Sequence, residues 1–137
     1  MVIAMNVLII DGQGGGIGAQ LVLSISSNFP DYEITAVGTN GAATAAMLKA
    51  GAKAAATGEN AVIVGCRNAD IIIGPIGIVI ADSLLGEVTP PMALAVGQSS
   101  GKRILVPTNQ CDNMVAGVSD TSAGRLIQNV IDIIRGL

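Results

Sequence analysis

The feature that most constrains the fold is a glycine-rich segment, residues 11–18 (DGQGGGIG), which directly follows the apolar run at residues 6–10 (NVLII). Five of its eight residues are glycine. Glycine loses more backbone freedom on folding than any other residue, so these glycines destabilise the chain unless close packing or a ligand requires them. An apolar strand, a glycine-rich turn and a helix in this order are typical of a βα unit whose turn approaches a phosphate.

Short apolar runs alternate with helical stripes along the rest of the chain, which predicts βαβ units and a mainly parallel sheet. We predict strands at residues 5–10, 33–38, 70–74 and 103–109, and helices from about 16, at 41–51, at 89–101 and from about 122. Residues 59–68 fit either a helix or a strand. No repeat or linker divides the sequence, so we expect one three-layer, Rossmann-like α/β domain over residues 1–137.

Composition excludes several classes of function. The chain contains one Phe, one Tyr and no Trp, and its net charge is -3 without a basic run, which argues against nucleic-acid binding. Two cysteines without any histidine are too few for a zinc site and remove the Cys-His and Ser-His nucleophile pairs. We therefore expect no metal site.

The hydropathy of the chain predicts a cytoplasmic protein that does not enter a membrane. The longest strongly apolar run, residues 71–81, contains two glycines and a proline and is too short to span a bilayer. No signal-peptide pattern precedes the first strand. Because few residues are charged, a monomer would expose much apolar surface, and we expect a homo-oligomer, most simply a dimer.

The candidate ligand-binding residues follow the predicted strands. In an open parallel sheet, ligands bind outside the carboxyl ends of the strands, where the strand order reverses. The loops at this edge are rich in Gly, Thr, Asn and Pro, which suits a small polar or phosphate-bearing ligand, although turns alone favour the same residues. The candidates are Asp11, Gly12, Gly14, Gly16, Ile17, Gly18, Gly38, Thr39, Asn40, Gly74, Pro75, Asn109 and Cys111.

The glycine spacing resembles a known cofactor loop. Gly12, Gly16 and Gly18 match G-x-x-x-G-x-G, which is similar to the loop of short-chain dehydrogenases and implies an NAD-type dinucleotide or another phosphate-bearing ligand. However, Asp11 stands where those enzymes carry Thr, the second strand ends without an acidic residue, and no Tyr-x-x-x-Lys follows. The resemblance therefore implies a binding loop and does not imply dehydrogenase chemistry.

A second resemblance extends over most of the chain. The segments IDGQGGGIG, GTNGAATAAMLKAGA, ATGENA, IIGPIGI, GEVTP and VPTNQC are similar to a family of small bacterial proteins known only as a domain of unknown function. This resemblance implies a single α/β domain with a Rossmann-like start. It implies no activity, substrate or catalytic residue.

Few side chains suit catalysis. Cys111 follows a predicted strand near Asn109, but no base accompanies its thiol, and Cys66 is expected to pack in the core. Asp82 and Glu87 either face the ligand or lie in an exposed turn. Three hypotheses remain: a nucleotide- or phosphate-binding module, a small oxidoreductase or transferase that uses a dinucleotide at an active site shared across a dimer, and a structural oligomer without a ligand.

Overall fold

The computed structural model describes residues 4–108, 113–119 and 122–137. Its five strands form one sheet, and every neighbouring pair is parallel. The order across the sheet is β3-β2-β1-β4-β5. The strands are β1 (Asn6–Asp11), β2 (Glu33–Gly38), β3 (Ala54–Thr57), β4 (Ile71–Pro75) and β5 (Lys102–Val106).

Helices cover both faces of this sheet. They are α1 (Gly16–Asn28), α2 (Gly41–Lys49), α3 (Glu59–Asn68), α4 (Pro90–Gln98) and α5 (Ala123–Arg135), and a short 3-10 helix (Ile76–Val79) follows β4. Buried side chains of α1, α2 and α5 form one core with the sheet, and those of α3 and α4 form a second core on the other face. The predicted three-layer, Rossmann-like α/β fold is confirmed.

Alternate side chains of β1 point to opposite faces of the sheet, which explains why helices must cover both faces. Val7 and Ile9 lie in the core shared with α1, whereas Leu8 and Ile10 lie in the core shared with α3 and α4. All four side chains are buried. A strand buried on both sides has no polar face, so it must be a central strand, and burial of each such side chain stabilises the fold by about 1.5–3 kcal/mol.

Helix starts follow the capping signals of the sequence. The side chain of Asn40 accepts a hydrogen bond from the N–H of Ala43 (2.9 Å) at the start of α2. Thr89 and Ser122 cap α4 and α5 in the same way. Helices α1 and α3 are different because the residues before them, Gly15 and Gly58, have no side chain to cap the first turn.

Several local predictions differ from the structure, and the strand predicted at residues 103–109 ends earlier, at Val106. The edge strand β3 was not predicted, because alanine favours helices over strands and four exposed or partly exposed residues show no alternation. Gly74, at the end of the predicted strand, and Pro75, expected in the ligand-binding loop after it, are the last two residues of β4 and are buried. Residues 59–68, left open between helix and strand, form α3.

The strand order reverses between β1 and β4. From β1 the chain continues outward to β2 and β3, then returns to place β4 on the other side of β1. The carboxyl ends of β1 and β4 therefore border the position where parallel α/β sheets bind ligands. In the part of the chain that the structure describes, no helix has the length and apolar character needed to cross a bilayer.

Candidate functional site

The loops that follow β1 and β2 meet at the carboxyl edge of the sheet. Asp11 and Gly38 are paired in the register of the two strands, and the N–H of Thr39 donates to the carbonyl oxygen of Asp11 (2.9 Å). Asn40 reaches further, because its side-chain amide donates to the carbonyl oxygen of Gln13 (2.9 Å). These hydrogen bonds place the glycine-rich turn and the start of α2 side by side.

The carboxylate of Asp11 holds the glycine-rich turn in shape. Its two oxygens accept hydrogen bonds from the N–H of Gly12 (2.8 Å) and from the N–H of Gly18 in the first turn of α1 (2.7 Å). It thereby supplies the cap that Gly15 cannot provide. Burial raises the pKa of Asp11, the two N–H groups oppose that rise, and the nearby charge of Glu87 adds to it.

Three glycines of the turn are required by packing. A Cβ on Gly12 would lie 2.9 Å from both a Glu87 oxygen and a Leu84 methyl carbon. A Cβ on Gly18 would lie 2.6 Å from the sulfur of Met47. Gly15 adopts a left-handed backbone conformation (φ 72°) against α2. We call Gly12, Gly15 and Gly18 the inner glycines, because the chain's own close contacts account for them.

The other two glycines face open space. We call Gly14 and Gly16 the outer glycines: both are exposed, and no described atom beyond their immediate chain neighbours lies within 4 Å of a Cβ placed on either. Among the described residues, the N–H groups of Gly14, Gly16 and Ile17 have no hydrogen-bond partner. Two of these groups belong to the first turn of α1, whose positive dipole end favours a negatively charged group.

Glu87 joins the loops after β1 and β2. One carboxylate oxygen, Oε1, accepts hydrogen bonds from the N–H of Gln13 (2.8 Å), the hydroxyl of Thr39 (2.7 Å) and the side-chain amide of Asn40 (2.7 Å). Burial opposes ionisation of Glu87, but these three hydrogen bonds together hold its pKa below its usual value. The side chain is therefore an anion at neutral pH, fixed over the turn.

The segment that carries Glu87 is tightly folded. Asp82, Leu84 and Leu85 have left-handed backbone conformations (φ 66°, 54° and 57°), which non-glycine residues adopt at a cost of about 1–2 kcal/mol each. Two hydrogen bonds close the turn, from Asp82 N–H to Val88 carbonyl oxygen (2.7 Å) and from Val88 N–H to Ser83 carbonyl oxygen (3.2 Å). Through Glu87, this turn after β4 contacts the loops that follow β1 and β2.

Three of the remaining candidates, Gly38, Gly74 and Pro75, are buried in the sheet. Gly38 is buried at the end of β2, where a Cβ would collide with Thr44. Gly74 and Pro75 pair with β5 inside the sheet. Asn109 and Cys111 lie outside the described residues. The thiol of Cys66 is buried in the core between α3 and α4, and its burial raises its pKa.

Six of the seven basic side chains are remote from the candidate site. Of the seven Lys and Arg residues, all but Arg125 stand at strand starts or helix ends, which form the opposite edge of the sheet. They are Lys49, Lys53, Arg67, Lys102, Arg103 and Arg135. Within the described ranges, no three His, Cys, Asp or Glu side chains converge on a possible metal position. An anion at the outer glycines would therefore bind to backbone N–H groups.

A cavity of about 750 Å³ lies elsewhere, between β5 and α5. Its walls include the apolar side chains of Ile104, Val106, Val130 and Ile133 and the charged side chain of Arg125. None of the candidate residues that the structure describes lines this cavity. The walls also carry the polar side chains of Ser122, Arg125 and Asn129, and the cavity is separate from the outer glycines.

Comparison with known families agrees with this architecture. A family model described as a domain of unknown function (DUF3842) matches residues 6–137, from the first residue of β1 to the end of the chain. The chain belongs to the DUF3842 family. No curated protein matches the sequence at a significant level. The predicted membership of an uncharacterised domain family is thus confirmed, and the role of this DUF3842 domain has to be argued from its own geometry.

One important contact of the DUF3842 domain was not predicted. The sequence suggests that Glu87 faces a ligand or lies in an exposed turn, and the structure shows its carboxylate hydrogen-bonded to Gln13, 74 positions earlier in the chain, and to Thr39 and Asn40. Gln13, the donor of that contact, was not a candidate at all. The pair Gly86-Glu87 after two leucines gives only the signal of a turn.

Proposed function

We propose that this domain binds a small phosphate-bearing ligand, most simply a nucleotide, at the carboxyl edge of its sheet. The observation that carries the proposal is the set of N–H groups of Gly14, Gly16 and Ile17, exposed or partly exposed and without partners among the described residues. They lie beside the point where the strand order reverses. Phosphate oxygens are the acceptors that such helix starts bind in other folds.

The titratable side chains near the turn argue against proton-transfer catalysis. Asp11 and Glu87 are the carboxylates nearest the turn, and both are engaged in hydrogen bonds that hold the backbone. The chain contains no histidine. A ligand phosphate at the outer glycines would thus meet donors without a group placed for proton transfer.

The test is thermal denaturation with a panel of mononucleotides, dinucleotides and sugar phosphates. A ligand present at about 100 times its Kd should stabilise the fold by roughly 2.7 kcal/mol. Gly16→Val places a side chain in the phosphate position without an internal collision, so it should remain folded and lose the stabilisation. Gly124→Val is the matched control, because Gly124 is also an exposed glycine in the first turn of a helix with open space around it.

A result in which no panel member stabilises the parent, or in which Gly16→Val responds like the parent, would contradict the proposal. The inner glycines favour the second candidate function in that case. Because contacts within the chain account for Gly12, Gly15 and Gly18, a glycine-rich turn that serves only packing is physically reasonable. The domain would then be a structural unit without a ligand.

A further inference from the structure

Strand β3 is an open edge of the sheet. Among the described strands it pairs only with β2, so the backbone groups on its other side face away from the sheet. Its four residues, AAAT, carry no charge, and Ala54, Ala56 and Thr57 are exposed. Proteins commonly protect such edges with charged side chains, because an unprotected edge is a template for pairing with another strand.

The opposite edge of the sheet is protected by charge. Strand β5 begins with Lys102 and Arg103, both exposed, and the guanidinium of Arg103 donates to the carbonyl oxygen of Ser99 (2.6 Å). A second strand laid along β5 would have to pack against these charged side chains. Of the two edges, β3 is therefore the one that suits pairing with another chain.

Apolar side chains border β3 on both faces of the sheet. On the α2 face, the hydroxyl of Thr44 contacts that of Thr57 (2.6 Å). Leu48 lies one helical turn further along the same side of α2 and is 52% exposed. On the α3 face, Val64 is 44% exposed and lines a cleft together with Thr35 of β2. A partner that extends the sheet at β3 would therefore also bury apolar surface on both faces.

Opposite charges stand at the two ends of β3. Lys53 directly precedes the strand, Glu59 follows two residues after its end, and both are exposed. Lys53 also pairs with Glu33 (2.6 Å), but that ion pair is exposed, and exposed pairs contribute little. If two copies paired in parallel, like charges would meet. In antiparallel pairing, Lys53 of each copy lies at the Glu59 end of the other, so the charges are complementary around a two-fold axis.

We propose that two copies of this chain dimerise through β3, which pairs antiparallel with its counterpart to form one continuous sheet across both copies. Lys53 and Glu59 set the direction of pairing, and Leu48 and Val64 add the apolar surface that a short paired strand alone does not bury. The partner is a second copy, because the edge and its end charges are complementary to themselves. This interface is independent of the proposed ligand site.

Sedimentation equilibrium at micromolar concentrations measures the dissociation constant of the dimer, and the parent protein should dimerise. Ala56→Lys should weaken the dimer at least about tenfold, because two like charges would face each other near the two-fold axis. Ala56 is exposed, so this variant should remain folded. Ala45→Lys is the matched control. Ala45 is also an exposed alanine, but it lies on the side of α2 opposite the buried residues of that helix, so the dissociation constant should not change.

Exchange of the end charges tests the direction of pairing. Lys53→Glu and Glu59→Lys should each weaken the dimer about threefold to tenfold, because each alters two symmetric ion pairs. The double variant should recover to within about twofold of the parent. Within one chain the two residues lie roughly 20 Å apart along extended backbone, so coupling between the substitutions requires the second copy. The loss of the Lys53–Glu33 pair is common to Lys53→Glu and the double variant and cannot produce the recovery.

Recovery in the double variant, together with a dimeric parent and an impaired Ala56→Lys, would support antiparallel pairing at β3. A parent that stays monomeric, or a dimer that Ala56→Lys leaves as tight as in the parent, would overturn the proposal. Single charge variants that weaken the dimer without recovery in the double variant would overturn it as well. Should Ala56→Lys not fold, the exchange of the end charges still decides.

Discussion

Removal of the Asp11 carboxylate is expected to destabilise the domain strongly. In Asp11→Ala, the N–H groups of Gly12 and Gly18 lose acceptors that now lie at 2.8 and 2.7 Å. Both glycines are buried, so water does not readily replace the carboxylate. Each buried N–H left without a partner costs about 1–3 kcal/mol, which gives a loss of about 2–6 kcal/mol for the pair.

Part of that loss is offset. The folded protein no longer holds a buried carboxylate beside Glu87, and burial of that charge is the main reason the pKa of Asp11 is raised. We therefore expect a net loss of about 2–4 kcal/mol in the free energy of unfolding. For a chain of this length the corresponding fall in Tm is roughly 8–16 °C.

Urea unfolding followed by circular dichroism measures this loss, and a constant m-value would show that the change lies in stability. Asp11→Asn should lie between the parent and Asp11→Ala, because it keeps one acceptor oxygen. Asp31→Ala, which removes an exposed carboxylate at the opposite edge, should change the free energy by less than about 0.5 kcal/mol. A loss below about 1 kcal/mol for Asp11→Ala would refute the capping role.

Three further predictions follow from the same geometry. Gly18→Ala should lower the free energy of unfolding by about 2–4 kcal/mol, because its Cβ would lie 2.6 Å from the sulfur of Met47, whereas Gly14→Ala should lower it by less than about 0.5 kcal/mol. Urea unfolding of both variants measures these losses, and equal losses would contradict the division into inner and outer glycines. Glu87→Gln should lower stability by about 1–2 kcal/mol at pH 7. Although burial opposes its ionisation, the hydrogen bonds that lower the pKa of Glu87 stabilise the charged form in the folded protein. The difference in stability between the parent and Glu87→Gln should therefore be present above the ordinary pKa of 4.5 and disappear as the pH falls further. Unfolding at pH 7, 5 and 3 measures it, and a difference that grows on acidification would be the wrong sign. We also propose that the chain forms a homodimer, since only 12% of its residues are charged and several large apolar side chains, among them Leu23, Leu48 and Leu94, are exposed among the described residues. Light scattering that gives a monomer mass at micromolar concentration would refute this.

Local sequence signals account for most of the fold. The apolar runs of β1, β2 and β4 and the stripe of α5 are strong because their side chains are buried in the core. Caps at Thr89 and Ser122 mark where α4 and α5 begin. Strand β3 has no comparable signal in the sequence, because its alanines form an edge strand that pairs with β2 through backbone hydrogen bonds.

The candidate site could be predicted only in part. The sequence points to the segment after β1, but it cannot separate Gly14 and Gly16 from Gly12 and Gly18. The difference depends on tertiary neighbours such as Met47, and no local pattern encodes them. The same limit applies to Glu87, whose hydrogen bonds join distant parts of the chain. The predicted roles of Asn109 and Cys111 remain predictions, since both lie outside the described residues.

The most direct test of the proposed site is a titration of ¹⁵N-labelled protein with adenosine 5′-monophosphate, followed through the backbone amide resonances. The account predicts the largest and saturable shifts at the N–H groups of Gly14, Gly16 and Ile17, because only these would donate newly to the phosphate. The N–H of Gly18 should move less, since it already donates to Asp11. Shifts centred instead on the cavity between β5 and α5, or no saturable shift at any amide, would contradict the account.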